Sequence, residues 1–162
     1  MSNLSTNYVM TLLQNYRATK RKIEQLRYEL EHPTRVSPDE MIEAMNFAKG
    51  DGESRPSGCV SNKTLYIAMN FQSAADEANA SLTHDLVSRL VPLEQEISRL
   101  EHYVALLESR QAEVIRLAYF EGHTWQQISA KTQITTRTLY KIRNQAVEEL
   151  AEMYALTADL QR

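Results

Sequence analysis

The fold of the C-terminal third of the chain is decided by residues 110–150, which read RQAEVIRLAYFEGHTWQQISAKTQITTRTLYKIRNQAVEEL. Apolar residues recur every three or four positions over 110–120, and this spacing predicts a helix. Gly122 follows at the point where a helix ends on a residue that tolerates positive φ. Thr124 is a good N-cap for a second, short helix that ends near Lys131. The stretch therefore begins with two predicted helices separated by a tight break.

A third helix is predicted after a turn at residues 132–134. Thr135 is again a good N-cap, and the apolar positions that follow are spaced by three and four: Leu139, Ile142, Ala146 and Leu150. A short helix, a tight turn and a longer capped helix are the helix-turn-helix plan, in which the second helix of the pair enters the major groove. Double-stranded DNA is therefore the predicted partner.

The charge distribution agrees with this prediction. The whole chain carries a net charge of -3, so any DNA binding must come from a local patch. Between Gly122 and Val147 there is no Asp or Glu, whereas four residues are positively charged: Lys131, Arg137, Lys141 and Arg143. Such a window, in a chain that is acidic overall, indicates a surface for a polyanion.

The third helix is predicted to expose a polar face: Thr136, Arg137, Tyr140, Lys141 and Asn144. Arg and Lys suit guanine edges, Asn suits adenine, and Thr or Tyr can contact a phosphate or a thymine methyl group. Lys131, Thr135 and Arg143 complete the candidate set within the same acid-free window. The alternative interpretation is a basic helix face that meets only solvent.

The segments EVIRLAYFEG (113–122), TWQQIS (124–129) and ITTRTLYKIRNQAVEEL (134–150) resemble region 4 of bacterial sigma factors, which reads an upstream promoter element. The resemblance implies groove-reading residues, and they fall on Thr136, Arg137, Tyr140 and Lys141. It also implies phosphate contacts, which fall on Thr124 and Trp125. Gln133 stands where the family usually has a Gly in the inter-helix turn.

The remainder of the chain lacks the aromatic-rich region with which a complete sigma factor melts promoter DNA. As a whole, the chain resembles small regulators of bacteriophages and prophages of Gram-positive bacteria, which are similar to late-gene transcription activators. The resemblance to sigma region 4, if it extends to function, implies RNA polymerase as a further partner and implies that the apolar residues of the 110–120 helix offer the polymerase a surface. The N-terminal part would then supply dimerisation or a second polymerase contact.

Residues 1–108 predict an N-terminal helical hairpin or coiled coil, and residues 109–162 the helix-turn-helix domain, in an all-α fold. Heptad-like spacing appears twice in the N-terminal part: Val9, Leu12, Tyr16, Thr19, Ile23, Leu26 and Leu30, then Leu86, Leu90, Leu93, Ile97, Leu100, Val104 and Leu107. Pro92 is expected to bend the second helix or to start a new one. The seams suit either ordinary bundle core or a homodimer interface.

Two shorter features lie between these helices. Residues 37–48 predict a helix that begins at Ser37-Pro38, and residues 49–63 predict a loop, because three of the four glycines fall there. Residues 64–80 are predicted to be helical. The first helix also carries a basic run that suits either contact with DNA or polymerase or a solvated face: Arg17, Lys20, Arg21, Lys22 and Arg27.

Composition narrows the function classes. The single cysteine, Cys59, excludes an internal disulfide, and the four histidines lack metal-ligand spacing. No pair of carboxylates or activated nucleophile stands out, so we expect no enzyme activity, no metal and no cofactor. No apolar run is long enough for a membrane span and no signal peptide is evident, so we expect a cytoplasmic protein.

Two other functions remain compatible with the sequence. Small terminase subunits, which package phage DNA, also pair a helix-turn-helix with helical oligomerisation segments, although they usually carry the DNA-binding part at the N-terminus. A mimic of sigma region 4 that binds RNA polymerase without reading DNA is the second alternative. A ring-shaped oligomer would favour the first, and failure to bind DNA at low salt would favour the second.

Overall fold

The structure is a computed structural model, and it describes residues 3–35, 37 and 62–159. Within these ranges all regular structure is helical and there is no strand, which confirms the all-α class predicted from composition. The elements in chain order are α1 (Asn3–Glu31), α2 (Asn62–Leu106), α3 (Ser109–Ile115), a π-helical turn (Arg116–Phe120), α4 (Trp125–Thr132) and α5 (Thr136–Asp159).

The chain divides into two compact units. One unit comprises Met1–Gln25 and Val91–Arg162, and the other comprises Leu26–Leu90. The first unit therefore contains residues from both of the domains predicted at 1–108 and 109–162. It includes all the candidate DNA-binding residues, and the description below concerns this unit.

The N-terminal part of α1 contributes one wall of this unit. It buries Val9, Leu13, Tyr16 and Ile23. Leu13, and not the predicted Leu12, is fully buried, so the buried residues from Val9 to Tyr16 are spaced by four and then three, and not by three and then four. The ring of Tyr16 stacks on Phe120 with centroids 3.9 Å apart, while its hydroxyl donates to Glu101 of α2. The helix is thus packed on two sides.

The second long helix runs without a break from Asn62 to Leu106, with Pro92 inside it. The expectation that Pro92 starts a new helix is therefore wrong. The proline ring removes one backbone hydrogen bond, and the helix continues because the residues on both sides keep theirs and its later part packs in the first unit through Ile97, Leu100 and Val104. No helix in the described ranges combines the length and the apolar character that crossing a membrane requires.

Some predictions concern parts of the chain that the structure does not describe. The helix predicted over 37–48 lies outside the described residues except for Ser37, and so does the predicted loop over 49–61. The last two residues of that predicted loop, Asn62 and Lys63, are the first residues of α2. The helix predicted over 64–80 is present as part of α2.

Helix α3 is stabilised by a capping box at its start and by a side-chain hydrogen bond to α5. Glu108 and Gln111 form a capping box, in which the backbone N–H of Glu108 donates to Gln111 Oε1 at 3.2 Å. The side chain of Gln111 is buried, and its Nε2 donates to Glu149 Oε1 of α5 at 2.7 Å. A buried amide with a charged acceptor fixes the position of α3 along α5.

The predicted helix over 110–120 ends as a π-helical turn and not as a regular α-helix. The backbone N–H of Glu121 donates to the carbonyl of Arg116 at 2.9 Å, and that of His123 donates to Leu117 at 2.9 Å. Gly122 lies between them with φ 77°, a conformation that glycine adopts without steric cost. The wider turn and the glycine together reverse the chain so that α4 can begin at Trp125.

Candidate nucleic-acid interface

A compact apolar cluster holds α4 and α5 against α3 and the π-helical turn. Its buried members are Val114, Leu117, Ile128, Leu139 and Ile142, and three partly buried residues pack against it: Ala118, Trp125 and Ile134. Ile128 and Leu139 are fully buried, so each of the two helices contributes a central apolar residue. This cluster determines which faces of α4 and α5 remain for a ligand.

Helix α4 begins with a complete capping box. The backbone N–H of Gln127 donates to Thr124 Oγ1 at 3.3 Å, and the N–H of Thr124 donates to Gln127 Oε1 at 2.9 Å. Such a reciprocal pair satisfies two of the N–H groups at the helix start. The first-turn N–H groups of Trp125 and Gln126 have no partner within the helix and can meet an external acceptor.

The turn between α4 and α5 takes a left-handed conformation at Gln133, where φ is 58° and ψ is 26°. This is the position at which the resemblance expects a Gly. The side chain of Gln133 donates to the carbonyl of Ala130 at 2.9 Å, and Ser129 donates to the carbonyl of Ile134 at 2.6 Å. These two side-chain bonds offset the steric cost of a residue with a Cβ, so the turn forms without glycine.

Helix α5 separates an apolar face from a polar face. Thr135 caps it by accepting from the N–H of Thr138 at 3.4 Å. Leu139, Ile142 and Ala146 are buried on one side. With about 100° between successive residues, four exposed residues fall on the opposite side, within roughly a quarter of the circumference: Arg137, Tyr140, Lys141 and Asn144. These four residues are hereafter called the α5 polar face.

The structure brings most of the candidate residues to the outside of the α4–α5 pair. The exposed ones are Thr124, Lys131, Thr135, Arg137, Tyr140, Lys141 and Asn144, and the partly buried ones are Trp125, Thr136 and Arg143. Within the described ranges, Arg137, Lys141 and Lys131 form no ion pair or side-chain hydrogen bond, so their charges face solvent.

Arg143 is the centre of an aromatic cluster that joins α4 to α5. Its Cζ lies 5.9 Å from the Trp125 ring centroid and 5.3 Å from that of Tyr140, and these two rings are 4.9 Å apart. Tyr119 completes the cluster, 6.4 Å from Trp125 in an edge-on arrangement. A guanidinium over aromatic rings is attracted by their π faces, so Arg143 holds the two helices' aromatic side chains together.

Arg143 also engages Asn144. Its Nε and Nη2 donate to Asn144 Oδ1 at 3.1 and 2.7 Å. A bidentate adenine contact needs the amide oxygen as acceptor as well as the amide nitrogen as donor. Because both lone pairs of the oxygen already accept from Arg143, Asn144 has only its amide N–H groups to offer to a base.

Tyr119 was not among the predicted site residues. Burial raises the pKa of its hydroxyl, and the charge of Arg143 and a hydrogen bond with it counteract part of this effect. The hydroxyl therefore stays protonated over the physiological range. No spacing rule linked Tyr119 to Trp125, because their contact depends on the turn at Gly122, which brings the two rings together.

The turn before α4 carries both signs of charge. His123 Nε2 and Glu121 Oε2 lie 2.9 Å apart, and both side chains are substantially exposed. Glu121 is the acidic residue that borders the acid-free window on its N-terminal side. When His123 is protonated, the pair is an ion pair, and the negative charge at this edge of the surface is then compensated.

The apolar side chains of Val114, Ile115 and Leu117 lie inside the unit. The apolar residues of the predicted 110–120 helix were expected to offer a surface to RNA polymerase, but Val114, Ile115 and Leu117 are almost completely buried. They are used by the core of the unit itself. The exposed side chains of this segment that lie nearby are charged, namely Arg110, Glu113 and Arg116.

A family model described as "Protein of unknown function (DUF722)" matches residues 6–152. The match begins in α1 and ends in α5, so it includes every candidate DNA-binding residue. No curated protein and no solved structure matches the chain.

Proposed function

The chain belongs to the DUF722 family, and we propose that it is a transcription regulator that reads double-stranded DNA through a helix-turn-helix formed by α4 and α5. The observation that carries the proposal is the α5 polar face, which follows a tight turn and stands opposite the buried Leu139 and Ile142. This arrangement leaves a helix surface of the right width and charge for a major groove.

The two helices take different roles in this proposal. Arg137 and Lys141 extend from α5 toward base edges, where guanine is their preferred partner. The N-terminus of α4 faces the phosphate backbone with the hydroxyl of Thr124 and the free first-turn N–H groups. Lys131, at the other end of α4, and Thr135 add contacts to the backbone.

Tyr140 acts beside them as an apolar and hydrogen-bonding surface. Its side chain is 41% exposed, although it touches Trp125 and the Arg143 guanidinium. Arg143 holds the Tyr140 ring in place, and its partly exposed guanidinium can also contact a phosphate. In this way the aromatic cluster reduces the conformational entropy that DNA binding would otherwise cost.

RNA polymerase and a second copy of the chain are the further partners in this proposal. A phage or prophage late-gene activator acts at promoters together with the host polymerase. Since the apolar residues of α3 are buried, the polymerase contact would use the exposed charges of Arg110, Glu113 and Arg116. Homodimerisation would use the N-terminal helices.

The test is a selection of duplexes from a pool with a randomised stretch, followed by affinity measurements on the selected and on scrambled DNA. Loss of one bidentate base contact costs about 1–3 kcal/mol. Arg137→Ala should therefore weaken binding to the selected duplex by roughly 5- to 150-fold and leave binding to scrambled DNA nearly unchanged. The proposal first requires that the unaltered protein select a defined DNA sequence from the pool.

The matched control is Arg110→Ala, which removes the same charge from an exposed position on α3. It should leave the preference for the selected duplex intact. Equal weakening by Arg137→Ala on both duplexes would show that Arg137 touches only phosphate. No binding to any duplex at low salt would contradict DNA reading and favour the polymerase-binding mimic.

A further inference from the structure

Helix α1 reaches the turn that precedes α4. The side chain of Arg17 covers Gly122: a Cβ built on that glycine would lie 2.9 Å from Arg17 Cζ and closer still to Nη1. The neighbouring Tyr16 stacks on Phe120 of the π-helical turn at 3.9 Å. This part of α1 is therefore held beside the residues that lead into Thr124, where the proposed phosphate contacts of α4 begin.

The residues of the basic run of α1 differ in whether their charge is paired within the chain. Lys20 pairs with Glu101 of α2 at 2.9 Å, so its charge is compensated within the chain. Arg17 and Arg21 are exposed and form no ion pair within the part of the chain that the structure describes. They are four residues apart, so both lie on the face of α1 that meets the turn at Gly122.

We propose that Arg17 and Arg21 bind phosphates of the DNA backbone beside the site read by α5. This inference rests on the proposed function. The guanidinium of Arg17 lies against a residue only two positions before Thr124, and Arg21 extends the same row by one helical turn. A duplex seated on the N-terminus of α4 would meet this row with the phosphates next to those that α4 contacts.

Contact with phosphate predicts a specific dependence of the DNA affinity on salt concentration. Each neutralised phosphate releases condensed counterions, which makes the slope of log K against log salt concentration more negative by about 0.9 on B-DNA. The contribution carries no base information, so it is equal on selected and scrambled duplexes. Base-reading residues such as Arg137 differ, because they change the ratio between the two duplexes.

The experiment measures the affinity of the full chain for the selected and the scrambled duplex over a series of KCl concentrations. We expect Arg21→Gln to lower the magnitude of the salt slope by about 0.9, and Arg17→Gln with Arg21→Gln by about 1.8. Both duplexes should lose affinity by the same factor. Arg17→Lys, which keeps the charge, should retain the slope.

Lys22→Gln is the matched control, because Lys22 is exposed on the same helix about 140° around the axis from Arg17. It should leave the slope unchanged. Circular dichroism and thermal unfolding verify that each variant is folded, and Arg21→Gln is the safer variant because Arg21 does not cover Gly122.

Three outcomes would overturn the inference. An unchanged slope in the double variant, together with Arg137-dependent preference for the selected duplex, would refute the α1 contact and leave the proposed function intact. An equal fall in slope with Lys22→Gln would show only the effect of net charge. Failure of the unaltered chain to bind any duplex would refute the proposed function and the α1 contact with it.

Discussion

At the scale of single residues, Arg143 shows that a side chain predicted to contact DNA can already make several contacts within the protein. Its charge lies over Trp125 and Tyr140, and two of its N–H groups donate to Asn144. The acid-free stretch from Gly122 to Val147 made Arg143 a candidate for DNA contact, but no spacing rule predicted that it would lie over Trp125 and Tyr140. Its geometry depends on how α4 crosses α5, which is determined by the buried Ile128 and Leu139.

We predict that Arg143→Ala changes the environment of Trp125 without unfolding the unit. Trp125 is the single tryptophan of the chain, so fluorescence excited at wavelengths that tyrosine does not absorb reports on this cluster alone. Water replaces the guanidinium over the indole ring, and the emission maximum should shift to longer wavelength. The variant removes two cation–π contacts of about 0.5–1 kcal/mol each, so the free energy of unfolding should fall by about 1–2 kcal/mol.

Arg143→Lys is the conservative control, since an ammonium can also lie over an aromatic ring but cannot make the paired contact with Asn144. Its emission should fall between those of the unaltered protein and Arg143→Ala. Identical spectra for all three proteins would mean that the guanidinium does not cover Trp125 in solution.

At the scale of elements, caps made the boundaries of α4 and α5 predictable. Thr124 and Thr135 were chosen as N-caps from sequence, and both accept from a backbone N–H at the start of a helix. The continuation of α2 through Pro92 was one of two predicted alternatives, and the π-helical turn before Gly122 was not predicted. Both features depend on how the helix packs against other parts of the chain. Rules based on neighbouring residues in the sequence do not include that packing.

Gln133 provides the element-scale prediction. A non-glycine residue in the left-handed region costs about 1 kcal/mol, and Gln133→Gly removes that cost while it loses the side-chain bond to Ala130. We expect a net gain of about 0.5 kcal/mol in the free energy of unfolding. Urea denaturation measures this change.

Gln133→Val is the contrasting variant, because a β-branched side chain suits positive φ least. It should lower the free energy of unfolding by about 1–2 kcal/mol. Equal stability of the Gly, Gln and Val forms would show that position 133 does not hold a left-handed conformation.

At the scale of the whole molecule, the division of the chain could not be deduced from the two heptad patterns. They indicate helices with an apolar face in the N-terminal region, and one compact unit includes Met1–Gln25 together with Val91–Arg162. Ser5 donates to the carbonyl of Ala151 at 3.0 Å, which joins the start of α1 to the C-terminal half of α5. Such contacts link residues that are distant in sequence, and periodicity does not identify the partner of an apolar face.

The contact between α1 and α2 gives the last prediction, which concerns pH. Burial alone would raise the pKa of Glu101, but hydrogen bonds from Tyr16 and Lys20 and the charge of Lys20 lower it below its ordinary value of 4.5. A carboxyl group with a lowered pKa stabilises the fold above its unfolded-state pKa, and this contribution is lost as the pH falls through the folded-state value. Acid should therefore weaken this contact.

We expect Glu101→Gln to lower the free energy of unfolding at pH 7 by about 0.2–1 kcal/mol, because the pair with Lys20 is about 40% exposed and solvent screens it. Near pH 3 the difference between Glu101→Gln and the unaltered protein should be smaller, since the contribution of the charge is lost as the pH falls from the unfolded-state pKa toward the lowered folded-state pKa. Urea midpoints at the two pH values measure this change, with Glu148→Gln on the exposed face of α5 as the control. A difference of the same size at both pH values would contradict this prediction, because the charge of Glu101 would then contribute nothing to the contact.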